Sequence, residues 1–305
     1  MAKREAAKGE VLLEPRRGRA LGLSVAGFHG IAYREWGPKS KRRTLICVHG
    51  LTRNGRDFDV LAQSLAAEGW RVACPDVVGR GDSDWLRPPA EYSYPQYLAD
   101  LAAAIGQLRV SRLDWLGTSM GGLIGLMLAS LPGTPIERLI LNDVGPFIPK
   151  TALQRLAGYV GHDPHFEGLD SAEAYIRRVH APFGRLSDAQ WRVMTKASVR
   201  PADGGGFRLA YDPRIGEAFR KEPLEDVDLW AIWDGLRLPT LVLRGAESDL
   251  LLPDTAKAMT ERGPKAELIE FPDCGHAPAL LDPTQIAAVC NWLSCGNGMG
   301  RRPAV

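Results

Sequence analysis

Residues 114–125 read DWLGTSMGGLIG, and within them Gly117-Thr118-Ser119-Met120-Gly121 fits the pattern G-x-S-x-G. In that pattern a strand turns sharply into a helix, and the small flanking residues let the backbone bend enough to present a serine hydroxyl at the top of a sheet. At average glycine and serine usage the pentapeptide arises by chance in roughly one chain in ten of this length. Its surroundings therefore decide. RLDWLG before it reads as a buried strand and MGGLIGLMLASL after it as a helix, which is the setting the pattern requires.

Working outward, strand-like runs alternate with helix-like ones from Leu21 onward. LGLSVAGF and IAYREWG read as an opening antiparallel pair, and TLICVHG as a β-rich run covered on both faces. FDVLAQSLAAEGW is a helix ending at Gly69, RVACPDV a strand, YPQYLADLAAAIGQL a helix, and ERLILNDVG the strand after the serine segment. Such alternation predicts an α/β fold with right-handed crossovers, a mostly parallel central sheet and helices on both faces. After Pro146 the rhythm changes to helical stretches with scattered aromatics and a flexible DGGGF, and strands return at LPTLVLRGA and AELIEFPDC before a last helix in PTQIAAVCNWL. We expect a core of residues 21–145 and 236–295, a helical insertion of 146–235, and flexible ends at 1–20 and 296–305.

Composition narrows the function classes. The 305 residues are 45% apolar and 24% charged, ordinary for a folded soluble domain, and a formal charge of +2 offers no field that would favour nucleic acid or a membrane surface. No apolar h-region follows the mixed charges of MAKREAAKGEVLLEPRRGR, and no run is long enough to span a bilayer, so the expected compartment is the cytoplasm. Cys47, Cys74, Cys274, Cys290 and Cys295 are an odd set without C-x-x-C spacing and read as packing thiols, not disulfides or a metal site. His162 and His165 in HDPHF lack further residues at metal-site spacing, so neither a metal nor a cofactor is expected.

A serine hydroxyl needs a base to become a nucleophile, and histidine is the side chain that titrates near neutrality. His276, in FPDCGHAPALL, lies between the last strand and the last helix, on the sheet edge that also carries Ser119. The base in turn needs an acid. Asp249, just beyond the strand in LVLRGAESDLLLP, is favoured for the chain order Ser…Asp…His; Asp143, at the end of the preceding strand in LILNDVGP, competes with it, and Glu247 is a third candidate. His49-Gly50-Leu51 stands at another strand end, where the amide of Leu51 with that of Met120 would form an oxyanion hole, each donor contributing about 3 kcal/mol to the barrier. His49 reads as a structural partner of that loop, while Arg53, Asn54 and Arg56 are either surface charges or pocket-entrance residues.

The H-G of VHGL, the PDVVGRGDSD loop, GTSMGG, RGAESDLLLP and CGHAP, in this order, resemble the α/β-hydrolase fold superfamily, and within it the capped carboxylesterase and lactonase-like branch. The resemblance implies Ser119 as nucleophile, Asp249 as acid, His276 as base, no cofactor, and a small-molecule ester, lactone or thioester as substrate. A serine at the elbow departs from the aspartate of dehalogenases and epoxide hydrolases. Two other readings share the scaffold: a carbon-carbon bond hydrolase, against which GHAP lacks the expected aromatic after the histidine, and a ligand-binding or sensor protein with little turnover. Trp191, Trp230, Trp233, Phe147, Phe183 and Phe207 are the aromatic candidates for the pocket wall.

Overall fold

The computed structural model describes residues 14–39, 43–221 and 223–295. The chain begins with β1 (Arg16–Ser24) and β2 (Gly27–Trp36), followed by β3 (Thr44–Val48), α1 (Asp59–Ala67), β4 (Arg71–Pro75), α2 (Tyr94–Leu108), β5 (Leu113–Thr118), α3 (Met120–Ser130) and β6 (Ile136–Asn142). The next stretch holds β7 (Phe147–Ile148), α4 (Lys150–Ala157), α5 (Leu169–Val179), α6 (Asp188–Ser198), β8 (Val199–Pro201), β9 (Phe207–Leu209), α7 (Ala218–Lys221), β10 (Val227–Asp228) and α8 (Trp230–Gly235). The sheet then resumes with β11 (Thr240–Gly245), α9 (Pro253–Glu261), β12 (Glu267–Phe271) and α10 (Pro283–Cys295).

Eight strands form one sheet in the order β1-β2-β4-β3-β5-β6-β11-β12. The hairpin β1-β2 and the pair β2-β4 are antiparallel, and every other pairing is parallel. The strand pattern explains why both faces are covered. In β3, Ile46 and Val48 enter one apolar cluster while Leu45 and Cys47 enter the other. In β6, Leu139 and Leu141 face the first and Ile140 the second. Burying each such side chain contributes about 1.5–3 kcal/mol, so a strand with two buried faces is held from both sides. α3 is apolar nearly all round because it is enclosed between the sheet and its neighbours.

The hairpin differs from the sequence expectation. The turn falls at Val25–Ala26 inside the predicted first strand, and β1 begins at Arg16, within the stretch expected to be a flexible arm. Pairing with β2 along its whole length, including Arg16 opposite Glu35, gives residues 16–20 a partner that apolar patterning alone could not reveal. Residues 1–13 and 296–305, which carry the rest of the flexible-end expectation, lie outside the described residues.

Between β6 and β11 lie the helices α4 to α8, with two small antiparallel pairs that the sequence does not announce. One of these, β7 with β10, joins Ile148 to Val227 and Phe147 to Asp228. It stitches together the two ends of the stretch, so the intervening helices leave and return at the carboxyl edge of the sheet. No helix among the described residues is long and apolar enough to cross a membrane.

Candidate active site

Parallel pairing places the carboxyl ends of β3, β5, β6, β11 and β12 along one edge. At the end of β5 the chain reverses direction within one residue: Ser119 has φ 52° and ψ −117°, a conformation costly for a residue with a Cβ. Two glycines make the turn feasible. A Cβ on Gly117 would lie 2.2 Å from the backbone of Gly121, and one on Gly121 would lie 2.1 Å from the carbonyl oxygen of Val48. The Ser119 amide donates to the Asn142 carbonyl at 3.0 Å, which ties the elbow to the neighbouring strand.

The Ser119 hydroxyl meets Nε2 of His276 at 2.9 Å. On the other side of the ring, Nδ1 donates to Oδ2 of Asp143 at 2.7 Å. This contact fixes the tautomer, leaving Nε2 free to accept the serine proton. The Asp143 carboxylate is fully buried. Its Oδ1 accepts the Gly245 amide at 2.8 Å, and its Oδ2 also accepts the Ser248 hydroxyl at 2.5 Å. Asn142 completes the frame, donating from Nδ2 to the Thr118 hydroxyl at 3.0 Å and to the Pro278 carbonyl at 2.9 Å, so the strand under Ser119 and the loop carrying His276 are pinned together.

The structure places Asp143, and not the expected Asp249, in hydrogen-bond contact with His276. Asp249 is half-exposed and forms a bidentate ion pair with Arg155, from Nη2 at 2.9 Å and from Nε. Glu247 is exposed. The preference for Asp249 rested on the order Ser…Asp…His, which Asp143 satisfies equally. What separates the two is burial beside the histidine.

On the opposite side of Ser119 the loop after β3 lines the same cleft with Gly50 and Leu51. Met120 is the first residue of α3, so its amide has no acceptor inside the helix. His49 is a strut: Nδ1 donates to the Gly50 carbonyl at 2.8 Å and Nε2 accepts the Val77 amide at 2.9 Å. Complete burial pushes its pKa down to about 3, so the ring is neutral. Arg80, in the PDVVGRGDSD loop, was not singled out from sequence. Fully buried, it donates to the carbonyls of Leu51 at 2.9 Å and Val78 at 2.8 Å and to the Tyr97 hydroxyl at 3.0 Å, with Met120 Sδ 3.7 Å away. Its guanidinium lies over the Tyr97 ring at 4.9 Å. It thus braces Leu51 and touches Met120 together.

Ser119 and His276 open into a cleft of about 860 Å³, its mouth included. The far wall comes from the stretch between β6 and β11: Leu156, Tyr159, His180, Phe183, Met194 and Ala197 among others. Of the six aromatic candidates only Phe183 lines the cleft; Trp191 and Trp233 are buried in the core, and Trp230 lies under the Arg262 guanidinium at 4.1 Å. Arg53 and Asn54 are buried and bond to α6: Arg53 to the Ser198 hydroxyl at 2.6 Å, Asn54 to the Ala197 carbonyl at 2.7 Å. Arg53 and Arg56 both line the cleft. His165 is exposed and meets the Gly205 carbonyl, and no group of three or more His, Cys, Asp or Glu among the described residues is placed to hold a metal ion.

Known proteins agree with this architecture. Residues 45–289 match the sequence pattern of the alpha/beta hydrolase family. A 3-hydroxybutyrate-oligomer hydrolase of Cupriavidus necator is 44% identical over 90% of this chain and 96% of its own. An alpha/beta hydrolase of Novosphingobium aromaticivorans superimposes with a TM-score of 0.82 at 36% identity, covering 92% of this chain and 98% of that one. A Rickettsia typhi protein superimposes with a TM-score of 0.85 at 32% identity over 92% and 99%. The chain belongs to the alpha/beta hydrolase family.

Proposed function

We propose that this enzyme cleaves carboxylic esters by a serine mechanism, with Ser119 as nucleophile, His276 as base and Asp143 as the acid. The supporting observation is the unbroken hydrogen-bond chain from the Ser119 hydroxyl through His276 to the buried Asp143. As Oγ bonds to the ester carbonyl carbon, its proton passes to Nε2, and Asp143 stabilises the resulting imidazolium. The carbonyl oxygen becomes an oxyanion held by the amides of Leu51 and Met120, which Arg80 braces. The carbon–oxygen bond to the alcohol then breaks while Nε2 returns its proton to the leaving oxygen. Water, deprotonated by the same nitrogen, releases the acid and restores Ser119.

Residues 146–235 serve as a cap whose inner face forms the acyl wall. The substrate class is an ester of a hydroxy acid, carried over from the 3-hydroxybutyrate-oligomer hydrolase at 44% identity. The test is turnover of a chromogenic acetyl ester and of short hydroxyacid oligomers by purified protein, with Ser119→Ala as control. Activity on both that falls about 10⁶-fold in kcat in the folded variant supports the reading. Undiminished turnover in the variant, or none in the wild type, points to a different site or to a binding protein.

A further inference from the structure

The charged side chains lining the cleft are unbalanced. Arg53, Arg56 and Arg155 face it with only Asp57 among them. Arg53 is fully engaged, bidentate to Asp57 and bonded to Ser198. Arg155 is bidentate to Asp249 through Nε and Nη2, but neither Asp249 nor Asp59, the partner of Arg56, lines the cleft, so both guanidinium charges face it without a carboxylate of their own there. Arg56 reaches Asp59 only through Nε at 3.5 Å. Arg155 stands beside the phenol of Tyr159, on the same wall.

His180 supplies a second, independent observation. It is 93% buried, lines the cleft, and sits against Phe183 at 4.8 Å and Tyr159 at 6.4 Å between ring centres. Neither ring nitrogen has a hydrogen-bond partner among the described residues. Burial, together with the positive charges of Arg53, His276 and Arg155, holds its pKa well below the usual histidine range, so the ring is neutral. A neutral imidazole keeps one N–H to donate, and nothing of the protein accepts it. Because the ring lines the cleft, a ligand acceptor there would take that N–H.

We propose that this wall is a carboxylate subsite: Arg56, Arg155 and His180 hold the free acid group of the substrate while its ester lies at Ser119. This rests on the ester-hydrolase reading and sharpens it, because it selects esters whose far end is an anion over their neutral counterparts. Guanidinium to carboxylate contacts are charge-assisted and stronger than neutral hydrogen bonds. The fit to a hydroxyacid oligomer is direct, since each such chain ends in one carboxylate.

The test compares a 3-hydroxybutyrate dimer as free acid with the methyl ester of the same dimer, using kcat/KM for hydrolysis of the internal ester. A wild-type preference for the acid of about 10- to 100-fold is expected. It should shrink with added salt and fall at least about tenfold in Arg56→Gln, in His180→Phe, and in Arg155→Gln combined with Asp249→Asn, a pair that leaves no carboxylate unpaired. Free 3-hydroxybutyrate should inhibit competitively and its uncharged, non-ester amide, 3-hydroxybutyramide, should not. Equal rates on acid and methyl ester in the wild type overturn the subsite but leave ester hydrolysis standing. Equal losses on both substrates in the folded variants also overturn it. Failure to hydrolyse either dimer or a plain acetyl ester sinks the ester reading itself.

Discussion

The ends of β6 and β11 lie side by side in the sheet, and each is followed by an aspartate near the carboxyl edge. Asp143 follows β6 immediately, is sealed from solvent, and has φ 56°, a backbone conformation that turns its carboxylate into the sheet edge against His276. Asp249 lies four residues past β11 on an exposed loop and reaches outward to Arg155. The two segments still cooperate, because Gly245 at the end of β11 and Ser248 of the loop after it donate to Asp143. An acid at a strand end acts on a catalytic histidine only when the surrounding chain removes it from water and aims it. Strand-end position and chain order are not sufficient.

The sharpest way to break this contrast is Asp143→Asn. We expect kcat to fall about 10⁴-fold with the fold retained, since the amide cannot hold the same tautomer of His276. A loss below tenfold would show that another group orients the ring.

Burial should govern histidines by the same logic. His49, enclosed with its pKa near 3, stays neutral in the folded state between pH 6.5 and about 3, whereas the unfolded chain takes up a proton there. Its contribution to stability is complete above pH 6.5 and is lost as pH falls, at about 1.4 kcal/mol per pH unit over the window down to its folded pKa. Urea unfolding from pH 7 to 5 should show this slope flattened in His49→Asn. The same slope in the variant and the wild type would contradict the burial rule.

Ser248→Ala removes one of the donors on Asp143 and should cost roughly tenfold in kcat, the scale of one hydrogen bond to a charged group. No change would mean that the β11 loop contributes nothing through this hydroxyl. The smallest effect belongs to Asp249→Asn. Exposed ion pairs contribute about 0–1 kcal/mol, so hydrolysis of a neutral acetyl ester should stay within about threefold of wild type.

Much of this was legible in the sequence. The parallel core follows from apolar runs such as TLICV and LILN, and the elbow from glycines whose places no side chain can take. That Ser119 and His276 meet at one sheet edge follows from their positions at strand ends. The choice between Asp143 and Asp249 was not legible, because both lie on strands that neighbour in space and both precede the histidine in sequence. Arg80 escaped notice for a similar reason: its partners Leu51, Tyr97 and Met120 are scattered along the chain and converge only in the fold. The inner wall between β6 and β11 was the least readable. Trp191 and Trp233 fill the core, and the cleft is lined instead by Arg155, Tyr159, His180 and Phe183, whose roles depend on which helix face turns inward.

The most direct measurement is the rate at which a serine-directed phosphonate labels the wild type, Asp143→Asn and Asp249→Asn, with the modified residue mapped by mass spectrometry. A single adduct on Ser119, formed within about threefold of the wild-type rate in Asp249→Asn and slowed at least about 10³-fold in Asp143→Asn, is the expected result. An adduct on any other residue, or the reverse ranking of the two aspartates, would contradict the Ser119–His276–Asp143 assignment.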